Sequence, residues 1–218
     1  MGQFFYNFLD TFDVFVHATG LTLQLTFVSL IIASLIGLIF AFLKISNNIF
    51  LKAIANGYIS IIRGTPLIVQ IMFLYFGIAN FLVLSNFWAG SLALAIHSGA
   101  YIAEIFRGTI QSIDRGQMEA ARSLGMTKVL AMRRIILPQA FKRAIPPLGN
   151  QFIIGLKDSS LLAFIGYKEL FSTAMSRGAA TFRQFESYTI AGIYYLVIVL
   201  IFTFIVNKLE KRLDVDKK

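Results

Sequence analysis

An uncharged apolar stretch of 23 residues, 21–43, is the feature that most constrains this chain. At about 1.5 Å per residue in an α-helix, it can cross the roughly 30 Å hydrocarbon core of a bilayer. Residues 188–206 form a second uncharged stretch. The chain is 57% hydrophobic, and a soluble domain of 218 residues could not cover that much apolar surface. We therefore predict an all-α, polytopic membrane protein.

The distribution of charge predicts how the helices are oriented. The segment 107–143 holds eight Lys or Arg residues against two acids, which places it in the cytoplasm by the positive-inside rule. Residues 1–17 contain no Lys or Arg, so the N-terminus is expected outside. We predict one transmembrane domain over residues 1–218 with a cytoplasmic coupling loop at 107–143. Its five spans cover about 19–43, 53–79, 87–106, 144–165 and 188–207.

Composition also limits the chemistry of the chain. It has no cysteine, so neither a disulfide framework nor thiolate chemistry is expected. A glycine-rich phosphate loop is missing from the sequence, so the chain is not expected to hydrolyse a nucleotide by that route. His97 has no second histidine or cysteine at ligand spacing, which makes a metal site and a membrane enzyme poor predictions. Its expected role is a hydrogen bond between helices.

Local signals predict breaks and short helices. Arg63-Gly64-Thr65-Pro66 lies inside the second span, where proline removes a backbone donor and predicts a break or kink. In the cytoplasmic loop, Asp114 is suited to begin a helix over 115–124, and Gly125 to end it in the left-handed conformation. Thr127 is suited to begin a second helix that ends near Pro138.

A long spacing pattern in this loop identifies a family. Glu119-Ala120-Ala121 is followed after three residues by Gly125, after nine more by Ile135, and after one more by Leu137-Pro138. With these residues the chain resembles the membrane subunits of bacterial ATP-binding-cassette importers. Three further stretches resemble the polar amino-acid branch of that family (histidine, arginine, lysine or glutamine type). They are Arg63-Gly64-Thr65-Pro66-Leu67 with Gln70, the run from Ser98 to Gly108 that contains Glu104, and the run from Leu156 through Lys157-Asp158-Ser159-Ser160 to Leu161.

The resemblance implies partners and a location that composition does not reveal. It implies a multi-pass permease of the bacterial cytoplasmic (inner) membrane, paired with a second copy or a paralogue. Separate ATPase subunits would hold ATP and Mg, so no cofactor is expected in this chain and the chain itself is not an enzyme. An extracytoplasmic binding protein would deliver the amino acid, and no nucleic-acid partner is expected.

The loop residues predict a surface on which the ATPase docks. Small side chains at Ala120, Ala121 and Gly125 permit close backbone approach. Charged side chains at Arg115, Glu119 and Arg122 can make oriented contacts that hold the register. The alternative is that the basic loop serves only to orient the chain in the membrane.

Charged residues inside the spans predict a substrate site, because an amino acid in the membrane needs fixed countercharges. Glu104 and Asp158 are candidates for an ammonium or guanidinium group. Arg63 and Lys157 are candidates for the carboxylate, together with hydrogen-bonding groups at Thr65, Ser159 and Ser160. In the resembling family, the position of Asp158 is often Asn in carriers of uncharged amino acids, which implies a basic substrate here.

Structural alternatives to these site assignments remain open at the sequence level. Glu104 can form a bridge to Arg107 one turn away. Asp158 can pair with Arg63, or with Lys157 of a second subunit.

The predicted function is the transmembrane subunit of an ATP-driven importer of a polar, basic amino acid (arginine, lysine or histidine) that works by alternating access. The alternative is an ATP-independent amino-acid carrier or channel.

Overall fold

The computed structural model describes residues 7–213, which are helical and contain no β-strand. The α-helices are α1 (Phe12–Ile45), α2 (Ile49–Gly64), α3 (Leu67–Met72), α4 (Asn86–Gln111), α5 (Arg115–Ser123), α6 (Lys128–Ala131), α7 (Leu137–Asp158), α8 (Leu170–Thr181) and α9 (Gln184–Leu213). Two π-helical segments lie between or after them: Phe73–Gly77 continues α3, and Met132–Ile136 joins α6 to α7. The 3₁₀-helix Ser159–Ile165 follows α7.

Three helices of the described range, α1, α4 and α9, are long and apolar enough to cross a membrane. A fourth crossing results if α2 and the segment Leu67–Gly77 count as one span bent by 105°. The predicted span 144–165 falls on the second half of α7 and the 3₁₀-helix. The count of five spans and the outer N-terminus remain predictions, and the chain ends at 1–6 and 214–218 lie outside the described residues.

Helices α1 and α4 form the centre of the fold and pack along each other. Helix α4 buries a face of small residues, which lets the two backbones come close together. Around this pair, α7, α8 and α9 pack on one flank, in a cluster that includes Phe15, Leu156 and Leu170. Helices α1 and α9 contribute much of the apolar outer surface, because many of their large apolar side chains are exposed.

Gly37 marks the closest approach of α1 to α4. A Cβ atom built there would lie 2.5 Å from Cγ2 of Ile102 and 3.0 Å from the backbone nitrogen of Ala103. Because backbone cannot move aside as a side chain does, we expect Gly37→Ala to destabilise the fold by about 1–3 kcal/mol. Thermal unfolding in detergent measures this effect. The matched control is Gly192→Ala on α9, where no atom lies within 4 Å, and an unchanged Gly37→Ala protein would contradict this packing.

The prediction that the second loop helix ends near Pro138 is wrong. The helical path continues from Lys128 to Asp158, with π-helical geometry over Met132–Ile136 immediately before the proline. Proline lacks an N–H and its ring clashes with the carbonyl one α-helical turn earlier. The wider π turn is the kind of irregularity that accommodates such a residue without ending the helix. The predicted loop 107–143 is therefore largely helical, and its last part is continuous with the following span.

Candidate functional site

The short helix α5, here called the coupling helix (Arg115–Ser123), begins at the predicted residue and ends one residue before the predicted Leu124. The side chain of Asp114 accepts a hydrogen bond from the backbone N–H of Gly116 at 2.6 Å. At the other end Gly125 has a φ of 83°, and the N–H of Met126 donates to the Ala121 carbonyl at 3.1 Å. These contacts satisfy groups that a helix terminus leaves without partners. Both caps are local, so the two ends of the coupling helix are set by its own sequence.

One side of the coupling helix is anchored to the body of the protein. Ala121 is buried, and Met118 packs against a cluster that contains Ile110, Ile113 and Ile136 at the ends of α4 and α7. This cluster also includes Ile45 at the end of α1. The inner side of the coupling helix is therefore packed against the ends of three long helices.

The other side of the coupling helix is available to a partner. The side chains of Arg115, Glu119 and Ala120 are exposed, and neither charged residue takes part in an ion pair within the described range. Arg122 is exposed as well, and its guanidinium donates to the Met126 carbonyl at 2.8 Å. The docking residues predicted from the sequence thus form one outward face, except for the buried Ala121.

Sequence reasoning missed two apolar residues beside the coupling helix. Leu124 is 84% exposed and Val129 is 77% exposed, although both lie in the basic loop rather than in an apolar span. Both side chains are accessible to a partner of the coupling helix. Leu124 had a signal in the sequence, because it stands between Ser123 and Gly125 with no large apolar residue three or four positions away. Val129 had none, because Met126 and Met132 lie at helical spacing from it.

The predicted break in the second span is confirmed at Thr65 and Pro66, between α2 and α3. Gln70 holds the break, because its amide donates to the Ile62 carbonyl at 2.9 Å and to the Thr65 hydroxyl at 2.9 Å. The Gln70 carbonyl oxygen lies 3.2 Å from Nδ1 of His97 on α4. The expected helix-to-helix hydrogen bond of His97 is thereby confirmed, and its partner Gln70 was not foreseen.

Arg63 lies at the end of α2 with its guanidinium carbon 5.0 Å from the ring centroid of Tyr101. This distance allows a cation–π contact that orients the side chain without neutralising its charge. No ion pair within residues 7–213 includes Arg63. Arg63, Thr65, Gln70, His97 and Tyr101 thus form one polar cluster where the helix break meets α4.

Glu104 lies in a different place and has two basic partners. Its carboxylate accepts from the Lys44 amine at 2.6 Å and from Nη2 of Arg107 at 2.8 Å. The bridge to Arg107 is the structural alternative that the sequence offered, and it is present. Lys44, 60 residues away, was missed. This geometry favours a structural role in joining α1 to α4, and a contact of Glu104 with substrate remains a prediction.

Lys157, Asp158, Ser159 and Ser160 lie together where α7 changes into the 3₁₀-helix. The Ser159 hydroxyl donates to the Leu156 carbonyl and the Ser160 hydroxyl to the Lys157 carbonyl, both at 2.7 Å. Asp158 is half-buried, and in the described part of the chain it belongs to no ion pair. An internal Asp158–Arg63 bridge is therefore not formed within this chain.

Comparison with known proteins supplies a family for this arrangement. Residues 33–215 match the family model described as "Binding-protein-dependent transport system inner membrane component". The chain is 40% identical over 196 residues to the arginine transport system permease protein ArtQ of Bacillus subtilis, covering 89% of this chain and 90% of the relative. It is 38% identical over 203 residues to the glutamine transport system permease protein GlnP of Escherichia coli, covering 92% and 93%.

Solved structures give the same result at the level of the fold. A chain from the crystal structure of an amino acid ABC transporter with histidines has a TM-score of 0.90 and 43% sequence identity, covering 95% of this chain and 98% of that one. A chain of the MetNI methionine ABC transporter in an inward-facing conformation has a TM-score of 0.80 at 19% identity, which is a likeness of fold alone.

Proposed function

The chain belongs to the family of binding-protein-dependent transport system inner membrane components, and on that premise we propose that it imports a polar, basic amino acid. It acts as the permease subunit of an ATP-binding-cassette importer in the bacterial cytoplasmic membrane. ATP is hydrolysed on a separate ATPase subunit, and an extracytoplasmic binding protein delivers the substrate. The relatives named for arginine and glutamine transport support a polar amino-acid substrate, and only the first of these two names fits a basic one.

The observation that carries the proposal is the coupling helix. It presents exposed Arg115 and Glu119 beside exposed Leu124, while its inner side is packed against the ends of α1, α4 and α7. Charged residues next to apolar ones fit a docking surface, in which charge sets the register and apolar contact supplies affinity. A loop that only oriented the chain would need neither the caps nor the exposed leucine.

The proposed substrate path uses the two polar regions inside the spans. Asp158, with Ser159 and Ser160, receives the cationic side chain of the substrate, since a half-buried carboxylate forms a strong charge-assisted hydrogen bond with a guanidinium or ammonium group. Arg63, with Thr65, receives the substrate carboxylate from the side of the helix break. Lys157 and Glu104 complete the set of predicted substrate-binding residues. Glu104 lies toward the cytoplasmic end of the path.

Transport proceeds by alternating access in a homodimer. Two copies would place two such sites around a two-fold axis, and two coupling helices would face the ATPase pair. ATP binding closes the ATPase pair and draws the coupling helices together. The ends of α1, α4 and α7 follow through the cluster around Ile113, and the site faces the other side of the membrane.

Reconstitution tests the proposal. Liposomes that contain the permease, its cassette ATPase partner and the binding protein should accumulate radiolabelled arginine only when ATP is enclosed with the ATPase. Omitting the ATPase or replacing ATP by a non-hydrolysable analogue is the control. Accumulation that persists without the ATPase would instead establish an ATP-independent carrier or channel.

A further inference from the structure

Glu169 is a fully buried carboxylate at the start of α8, far from the coupling helix. Its Oε1 accepts from the N–H of Ser172 at 2.5 Å, and its Oε2 accepts from the N–H of Phe171 at 2.8 Å. The third donor is the hydroxyl of Tyr195 on α9, at 2.8 Å from Oε2. No ion pair in the described range includes Glu169. A carboxylate without a countercation is costly to bury, so this position requires all three donors.

Capping the N-terminus of α8 does not by itself explain why a glutamate stands at position 169 with a tyrosine at position 195. A helix N-terminus is satisfied by Ser, Thr, Asp or Asn, which need no donor from another helix. Here the buried carboxylate also ties the first turn of α8 to Tyr195 of α9. Tyr195 also packs against the buried cluster that contains Leu156, and the Leu156 carbonyl accepts a hydrogen bond from the hydroxyl of Ser159, the residue that follows Asp158. Ser159, Tyr195 and Glu169, here called the outer latch, thus link the end of α7 to the start of α8.

The outer latch lies at the opposite end of α1 from the coupling helix. The N–H of Leu170 donates to the Thr22 hydroxyl at 3.1 Å, and the Tyr167 hydroxyl donates to the Leu21 carbonyl at 3.3 Å. The coupling-helix cluster includes Ile45 at the other end of α1, about 35 Å away at 1.5 Å per residue. With the predicted orientation of α1, helix α8 therefore lies on the side from which a delivered substrate would enter.

We propose that Tyr195 and Glu169 are positioning residues that set the orientation of the Asp158–Ser160 segment according to the placement of α8. The proposal rests on the proposed function, because it assigns the outer latch to the same substrate site. Neither residue touches the substrate. A shift of α8 on the outer side would pull on Glu169, and Tyr195 would pass that shift to Ser159 and so to Asp158.

The test uses Tyr195→Phe, which removes one hydroxyl and keeps the ring. Equilibrium binding of radiolabelled arginine is measured on the purified permease–ATPase complex without the binding protein. We expect the Kd to rise about tenfold, the effect of losing one hydrogen bond to a charged group. The matched control is Tyr188→Phe on the same helix, whose exposed hydroxyl forms no hydrogen bond within residues 7–213. Melting temperature is recorded for every variant, and Glu169→Gln should raise the Kd in the same direction.

A second comparison separates positioning from a general loss of structure. In an Asp158→Asn background, Tyr195→Phe should change the Kd for arginine by less than about twofold, because both substitutions act on the same contact. An unchanged Kd in Tyr195→Phe alone, or an equally large effect in both backgrounds, would overturn the outer latch. A wild-type complex that binds neither arginine nor any other amino acid would overturn the proposed function, and the outer latch with it.

Discussion

Replacing Glu119 by lysine is expected to abolish ATP-driven uptake while leaving the permease folded and inserted. The side chain is exposed on the coupling helix and has no ion-pair partner in the described part of the chain, so the substitution breaks no internal contact. On the proposed docking face, reversing the charge places a repulsive group against the ATPase. Losing a charged pair in an interface costs about 2–5 kcal/mol, or roughly 30- to 5,000-fold in affinity.

Co-purification of the ATPase with the permease, and uptake in liposomes, measure this loss. Glu210→Lys is the matched control, because it makes the same charge change at an exposed position near the end of α9, away from the coupling helix. Glu210→Lys should retain the ATPase. If Glu119→Lys also retained it with unchanged affinity, the coupling helix would not be the docking surface, and its charges would serve only membrane orientation.

The sequence predicted the coupling helix almost to the residue because its signals are local. Asp114, Gly125 and Thr127 act on backbone groups within a few residues, and each lies at the expected helix end. The break at Thr65–Pro66 was predictable for the same reason. A missing N–H changes the backbone next to it, whatever the rest of the chain does.

Contacts between residues far apart in the chain could not be predicted from the sequence. Nothing in the sequence selects Lys44 over other lysines as the partner of Glu104, or Tyr195 as the partner of Glu169, because each pairing depends on how whole helices pack. The failure at Pro138 has another origin. Proline was read as a helix end, whereas the π turn before it let the helix continue, and that turn has no sequence signal of its own.

Replacing Asp158 by asparagine is expected to lower transport of arginine and lysine about 10- to 100-fold relative to glutamine, since a hydrogen bond to a charged group contributes about 1.5–3 kcal/mol. The substitution preserves shape and removes only the charge. Asp158 is half-buried at the end of α7 and no ion pair described in the chain uses its carboxylate, so it is available to a cationic substrate. Uptake of the three labelled amino acids into liposomes measures the change in selectivity.

Glu104→Gln provides the contrast, because Glu104 already lies between Lys44 and Arg107. If its role is to join α1 to α4, the substitution will lower the melting temperature and reduce uptake of arginine, lysine and glutamine alike. A selective loss of the cationic substrates in Glu104→Gln would place this carboxylate in the substrate path instead. Equal losses for all three amino acids in Asp158→Asn would remove the argument for a basic substrate, and would point to a bridge between Asp158 and a basic residue of the second subunit.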